Sequence, residues 1–163
     1  MRRVCARALL LSPLVLVSAV GGGYAARLHS TAAPTATRVQ LAQRVNPVGA
    51  HGYTLGLSHV TIPAGTQLAL HRHPGTQLAY IQRGVLTYSV RNGSVTVMRG
   101  PADQSPKVVR RIRAGQTGRI RAGEWIVELP STVHQGRNAG RAPVSIMLAT
   151  LFTNGSPPSV PVK

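Results

Sequence analysis

The stretch HRHPGTQ, residues 71–77, holds the side chains of this chain best suited to chemistry. His71 and His73 stand two apart, and Gln77 follows the second after four positions. In a strand, residues two apart project to the same face. The two imidazoles therefore point together, with Gln67 and Ala69 behind them, and Pro74-Gly75 turns the chain so that Gln77 leans back toward the pair. Far downstream, His134 closes the segment LPSTVH. Three imidazoles and one amide, if brought together, form a neutral donor set that suits a divalent transition cation. Such convergence requires strands that close on themselves.

The remaining sequence supplies strands. Short apolar stretches alternate with turn signals, and no long helical period intervenes. YTLGLSHVTI ends at Pro63, TQLALHRH at Pro74-Gly75, TQLAYIQR at Gly84 and VLTYSV at Asn92-Gly93. Asn-Gly between two such runs predicts a two-residue hairpin. SVTVMR, a loop with a basic strand over 100–116, TGRIR, EWIVEL and VSIMLATLF complete the set. The pattern predicts an all-β barrel or sandwich.

The spacing of these residues resembles the cupin family. The family's first motif runs Gly, five residues, His-x-His, three or four residues, Glu, six residues, Gly. Gly65, His71, His73, Gln77 and Gly84 hold those places, with Gln77 in place of the Glu. In the second motif, Gly123, His134 and Asn138 match, while Leu129 and Ser131 replace its proline and second glycine. The resemblance covers about residues 50–153 and implies a double-stranded β-helix (cupin/jelly-roll) barrel. It also implies one divalent transition metal (iron, manganese, nickel, copper or zinc) held by His71, His73 and His134, assisted by Gln77. An amide oxygen is a neutral, weaker ligand than a carboxylate and leaves the metal's charge uncompensated. Gln77 cannot act as a base.

Downstream of residue 25 the only acids are Asp103, Glu124 and Glu128. Glu124 follows Gly123 and reads as a turn residue. Glu128 alternates with Trp125, Val127 and Leu129 and shares a face with Glu124 and Ile126. The expected placement is outward, as a solvated or arginine-paired group. Turned inward, it would be a ligand, an orienting partner of an imidazole or a general base. An inward carboxylate favours an enzyme; an outward one favours a binding module. His29, His51 and His59 match no motif position and read as surface or loop residues. Tyr80 and Tyr88 read as packing residues rather than pocket lining.

Composition bounds the rest. The 163 residues suffice for one domain with a core, and 43% are apolar. Lys+Arg number 19 against 3 Asp+Glu, a net charge of +16. The segment KVVRRIRAGQTGRIR, 107–121, lacks interleaved aromatics for stacking on bases, so no nucleic acid is expected. It reads as a solvated strand face whose charge suits contact with acidic polymers or a membrane surface. Residues 1–25 read as a signal peptide: Arg2, Arg3 and Arg7, then the apolar run Ala8–Val20, shorter than a membrane span. A secreted or periplasmic location follows, with an N-terminal membrane anchor as the alternative. The only cysteine, Cys5, precedes that run, so the exported part has no thiol or disulfide. Residues 26–46 read as a linker ending in a short helix or edge strand, 47–155 as the barrel and 156–163 as a flexible tail. The expected function is a metal-dependent oxygenase or isomerase acting on a small organic molecule, and the alternative is a non-enzymatic metal- or small-ligand-binding module. The resemblance also implies a homodimer.

Overall fold

Side-chain alternation makes the strands and decides which face they bury. In β4 (Gly75–Arg83), Gly75, Gln77, Ala79 and Ile81 are buried while Thr76, Leu78 and Tyr80 are exposed. The computed structural model describes residues 34–162, so the expected signal peptide, Cys5, His29 and the first part of the linker lie outside the described residues. Twelve strands follow in order: β1 (Thr37–Val45), β2 (Tyr53–Ile62), β3 (His71–Arg72), β4, β5 (Val85–Asn92), β6 (Ser94–Arg99), β7 (Lys107–Arg113), β8 (Thr117–Arg121), β9 (Glu124–Glu128), β10 (Val133–Arg137), β11 (Val144–Thr153) and β12 (Val160–Pro161).

They form two antiparallel sheets. One has seven strands in the order β1-β2-β11-β4-β9-β6-β7, and the other five in the order β12-β3-β10-β5-β8. Ile62, Ile81, Tyr88, Val95, Val97, Ile120, Ile126 and Val144 form the buried centre between them. The chain steps repeatedly from one sheet to the other, which is the double-stranded β-helix that the family resemblance implies. The corners need backbone that only glycine adopts freely. Gly84 carries β4 into β5 at φ 82°, and a Cβ there would also lie 3.0 Å from the Pro143 carbonyl oxygen.

Two details depart from the sequence expectation, and one open choice is resolved. Asn92-Gly93 does not close a hairpin. β5 pairs with β10 and β8, whereas β6 pairs with β7 and β9. The turn is a corner between sheets, and Asn92 Nδ2 donates to the Ser131 carbonyl instead of facing a partner strand. Of the two endings expected for the linker, the edge strand is the one present. Residues 37–45 form an edge strand paired along its length with β2. At the other end, residues 160–161 of the expected flexible tail pair with β3.

Where β4 starts, the backbone of β11 runs so close that a Cβ on Gly75 would meet the Leu151 carbonyl oxygen at 2.1 Å and the Phe152 Cα at 2.9 Å. Both obstacles are backbone and cannot swing aside. Gly75→Ala is therefore expected to destabilise the fold by about 1–3 kcal/mol, read as a lower urea midpoint. An unchanged midpoint would show that β4 and β11 can separate at no cost.

Candidate metal centre

Two strands and one turn bring the imidazoles together. β3 pairs with β10 through His71 opposite His134. His73 follows β3 by one residue. The ring centroids lie 4.4 Å apart for His71 and His134, 5.0 Å for His71 and His73, and 5.1 Å for His73 and His134. One ring nitrogen of each lies within 4.8 Å of the other two. The convergence expected from HRH and His134 is thus present.

Each ring is oriented through its other nitrogen. Nδ1 of His71 donates to the Ala69 carbonyl at 2.7 Å, Nδ1 of His73 to the Pro158 carbonyl at 2.9 Å and Nδ1 of His134 to the Thr132 carbonyl at 3.2 Å. A carbonyl only accepts, so each Nδ1 carries a proton; in the neutral ring, Nε2 is then the nitrogen with the lone pair. Phe152 stacks on His73 and Tyr88 on His134, with interplanar angles of 14° and 16°. The rings are locked by bonds below and by aromatic faces beside them.

Glu128 corrects the outward expectation. Its residue is 3% exposed, and its carboxylate lies among the imidazoles. Oε1 is 3.2 Å from His134 Nε2, and Oε2 is 3.4 Å from His73 Nε2. The reason is strand parity. Trp125, Val127 and Leu129 look like the core face of β9, yet the outer surface of this sheet is itself apolar: Leu78, Tyr80, Val127 and Leu129 are all exposed. Glu128 shares the inner face with Ile126, which is fully buried. Its cross-strand partner is Gln77.

That pairing accounts for the motif's substitution. Gln77 Nε2 donates to Glu128 Oε2 at 2.6 Å and lies 3.0 Å from His73 Nε2. The opposite amide orientation would set oxygen against carboxylate. A carboxylate is therefore present at the histidines, one strand over from the motif position. Tyr88, read from sequence as packing, donates its hydroxyl to Glu128 Oε1 at 2.7 Å. Its place between Leu86 and Val90 on the buried face of β5 was the available signal. The role of Pro158 had no signal, since its contact is a backbone carbonyl 85 residues from His73. Glu124 keeps its structural reading: fully buried, it accepts from Arg99 at 2.8 Å and from the Arg121 backbone N–H at 2.8 Å. His59 lies away from the centre, 2.7 Å from Ser145 Oγ.

The charge state suits a cation. Burial pushes His71 down to about 4, and the neighbouring His134 and His73 add to this against the Ala69 bond and Glu128. Burial likewise lowers His134. Burial alone would raise Glu128, but His134, His73 and the Tyr88 hydrogen bond outweigh it and hold the carboxyl at about 2. Burial, then Glu128, raise Tyr88 well above its ordinary value, so it stays a neutral donor. At neutral pH the site is one carboxylate beside uncharged His71 and His134, the forms that bind metal. Gln77 Oε1 is buried with no hydrogen-bond partner. An orphaned acceptor beside three inward lone pairs and a carboxylate fits a divalent transition metal.

The centre lines a cavity of about 330 Å³. Val60, Ile62, Leu68, Leu86, Ile146 and Leu148 give it apolar walls.

No protein-family model matches the sequence, and no curated protein matches it. Solved structures do match the fold. A cupin 2 domain-containing protein from Halorhodospira halophila aligns over 78% of this chain and 71% of its own, with 15% identity and a TM-score of 0.50. The polyketide cyclase RemF from Streptomyces resistomycificus aligns over 78% and 71%, with 14% identity and a TM-score of 0.51. The fold is a cupin. Within this cupin, the motif positions 71, 73 and 134 hold the clustered imidazoles, and the carboxylate beside them comes from β9.

The depressed His71 sets a pH dependence. Between pH 6.5 and about 4 the unfolded chain protonates this histidine while the folded one does not. The unfolded state then binds more protons, so stability falls as pH drops through that window. Urea unfolding of metal-free protein should show this loss, and His71→Gln should flatten it. An equal slope in the variant would assign the loss to other groups.

Proposed function

We propose that this protein is an exported cupin binding one divalent transition metal through His71, His73 and His134, with Glu128 as the adjoining carboxylate and Gln77 bridging it to His73. We further propose that it is an enzyme acting on a small organic molecule, as an oxygenase or isomerase. The observation that carries the reading is the inward Glu128, 3.2 Å and 3.4 Å from two of the three imidazoles. The basic and apolar segment 1–25 supports export.

When bound, such a metal supplies Lewis-acid and redox chemistry. The chain's residues do the rest. The carbonyls of Ala69, Thr132 and Pro158 fix the tautomers. The apolar walls keep water from the bound molecule. Glu128 has both oxygens engaged, by Tyr88 on one and Gln77 on the other. That arrangement suits a ligand or orienting group better than a base, which needs a free edge toward substrate. The geometry therefore favours oxygen chemistry over an isomerisation that depends on a carboxylate base. The polyketide cyclase of the same fold is compatible with an organic molecule in such a barrel.

Metal content by mass spectrometry tests this reading on protein made without a histidine tag. One equivalent of metal is expected, lost in His73→Ala. Glu128→Gln should weaken the affinity by roughly 10–100-fold. Full metal in His73→Ala, or none in the wild type after reconstitution, would overturn it.

A further inference from the structure

The cavity lined by the histidines carries one feature that neither motif accounts for. β1 is an edge strand exposed along its length, Val39 and Leu41 included, except at the half-buried Arg38. Ala36, Thr37 and Arg38, at its start, line the cavity. Arg38 sits directly opposite Val60 of β2, a wall residue of the same cavity. A cationic side chain thus joins a lining whose walls are otherwise mostly apolar.

Arg38 has little to hold it there. Its Nε donates to Ser58 Oγ at 3.1 Å, and Ser58 Oγ in turn donates to Gln40 Oε1 at 2.8 Å. No ion pair to Arg38 forms among the described residues. The acids that might supply one are committed elsewhere. Glu124 is held by Arg99 and lies 3.6 Å from Arg110, and Glu128 is enclosed by Tyr88, Gln77 and two histidines. Asp103 lies on the exposed loop after β6 and does not line the cavity. Burial also depresses the Arg38 guanidinium below its ordinary value, the mark of a cation partly stripped of water. Arg38 also borders a second space, of about 610 Å³, lined by β1, β2, β11 and residues 155–158, so the residue stands at the boundary of the two.

A partly desolvated cation without a counter-charge is unfavourable, and an anion that docks on it removes that cost. Guanidinium offers a planar pair of donors matched to a carboxylate. We propose that Arg38 anchors the carboxylate of an apolar carboxylic acid, whose hydrocarbon body fills the cavity and extends toward His71, His73 and His134. The proposal rests on reading this cavity as the substrate site, and it narrows the substrate class from any small organic molecule to an apolar monoacid. Arg38 acts in specificity. The volume of about 330 Å³ falls at the lower end of small-molecule sites, which excludes large polyanions.

Octanoate and 1-octanol are the probes, titrated calorimetrically into the full chain, into Arg38→Gln and into His71→Ala, with metal content measured on each. Arg38→Gln keeps a polar group near Ser58 and removes the charge. The wild type should bind octanoate roughly 10–100-fold more tightly than octanol. That preference should collapse in Arg38→Gln with metal content unchanged, and persist in His71→Ala. Equal binding of the two probes by the wild type, or a preference that survives in Arg38→Gln, would overturn the proposal. So would a preference lost in His71→Ala alone, since the carboxylate would then sit at the histidines. Absence of metal from the wild type would count against the metal-centre reading and leave the octanoate comparison to decide on Arg38.

Discussion

The structure turns on one constraint: a carboxylate buried among imidazoles must have every polar atom accounted for. Glu128 is fully enclosed, and burial by itself would drive it neutral. It stays anionic because Tyr88 and Gln77 donate to it and His73 and His134 stand beside it. Those partners come from β4, β5, β10 and the turn after β3. The strands of both sheets must therefore be in register before the group can be tolerated, and removing any one donor would leave an unpaired charge in the interior. Specificity of the barrel's closure and composition of the site are the same requirement.

Much of this could be read from the sequence. Period-two alternation gave the strands, and the spacing of Gly65, His71, His73, Gln77 and Gly84 brought the histidines to one place. What resisted reading was which face of β9 is the inside. A sheet with apolar residues on both faces offers no contrast in hydropathy, so Glu128 was assigned to solvent by the company of Trp125 and Val127. Asn92-Gly93 misled for a different reason. The dipeptide encodes a tight local turn, and a tight turn serves equally to reverse a chain within a sheet or to hand it to the opposing one. Only the partners of β5 and β6, far away in sequence, separate the two. Arg38 escaped notice because an edge strand following a polar segment carries too weak a pattern to assign parity.

The exchange between Gln77 and Glu128 shows what a metal-site motif measures. The two residues face each other across β4 and β9. Their side chains reach the same imidazole, Gln77 Nε2 at 3.0 Å and Glu128 Oε2 at 3.4 Å from His73 Nε2. A charged oxygen can therefore be delivered from either strand to one region of space. The linear motif records one strand's solution, and loss of its glutamate does not imply loss of the carboxylate.

The bond from His73 to the Pro158 carbonyl bears on when the site comes into being. Residue 73 is synthesised long before residue 158, yet its ring has no fixed tautomer until that carbonyl arrives. β12, the strand beside it, closes against β3 only after β11 has been made. A nascent chain that already contains all three histidines thus lacks an ordered centre. Complete orientation of the three imidazoles therefore requires the chain as far as Pro158.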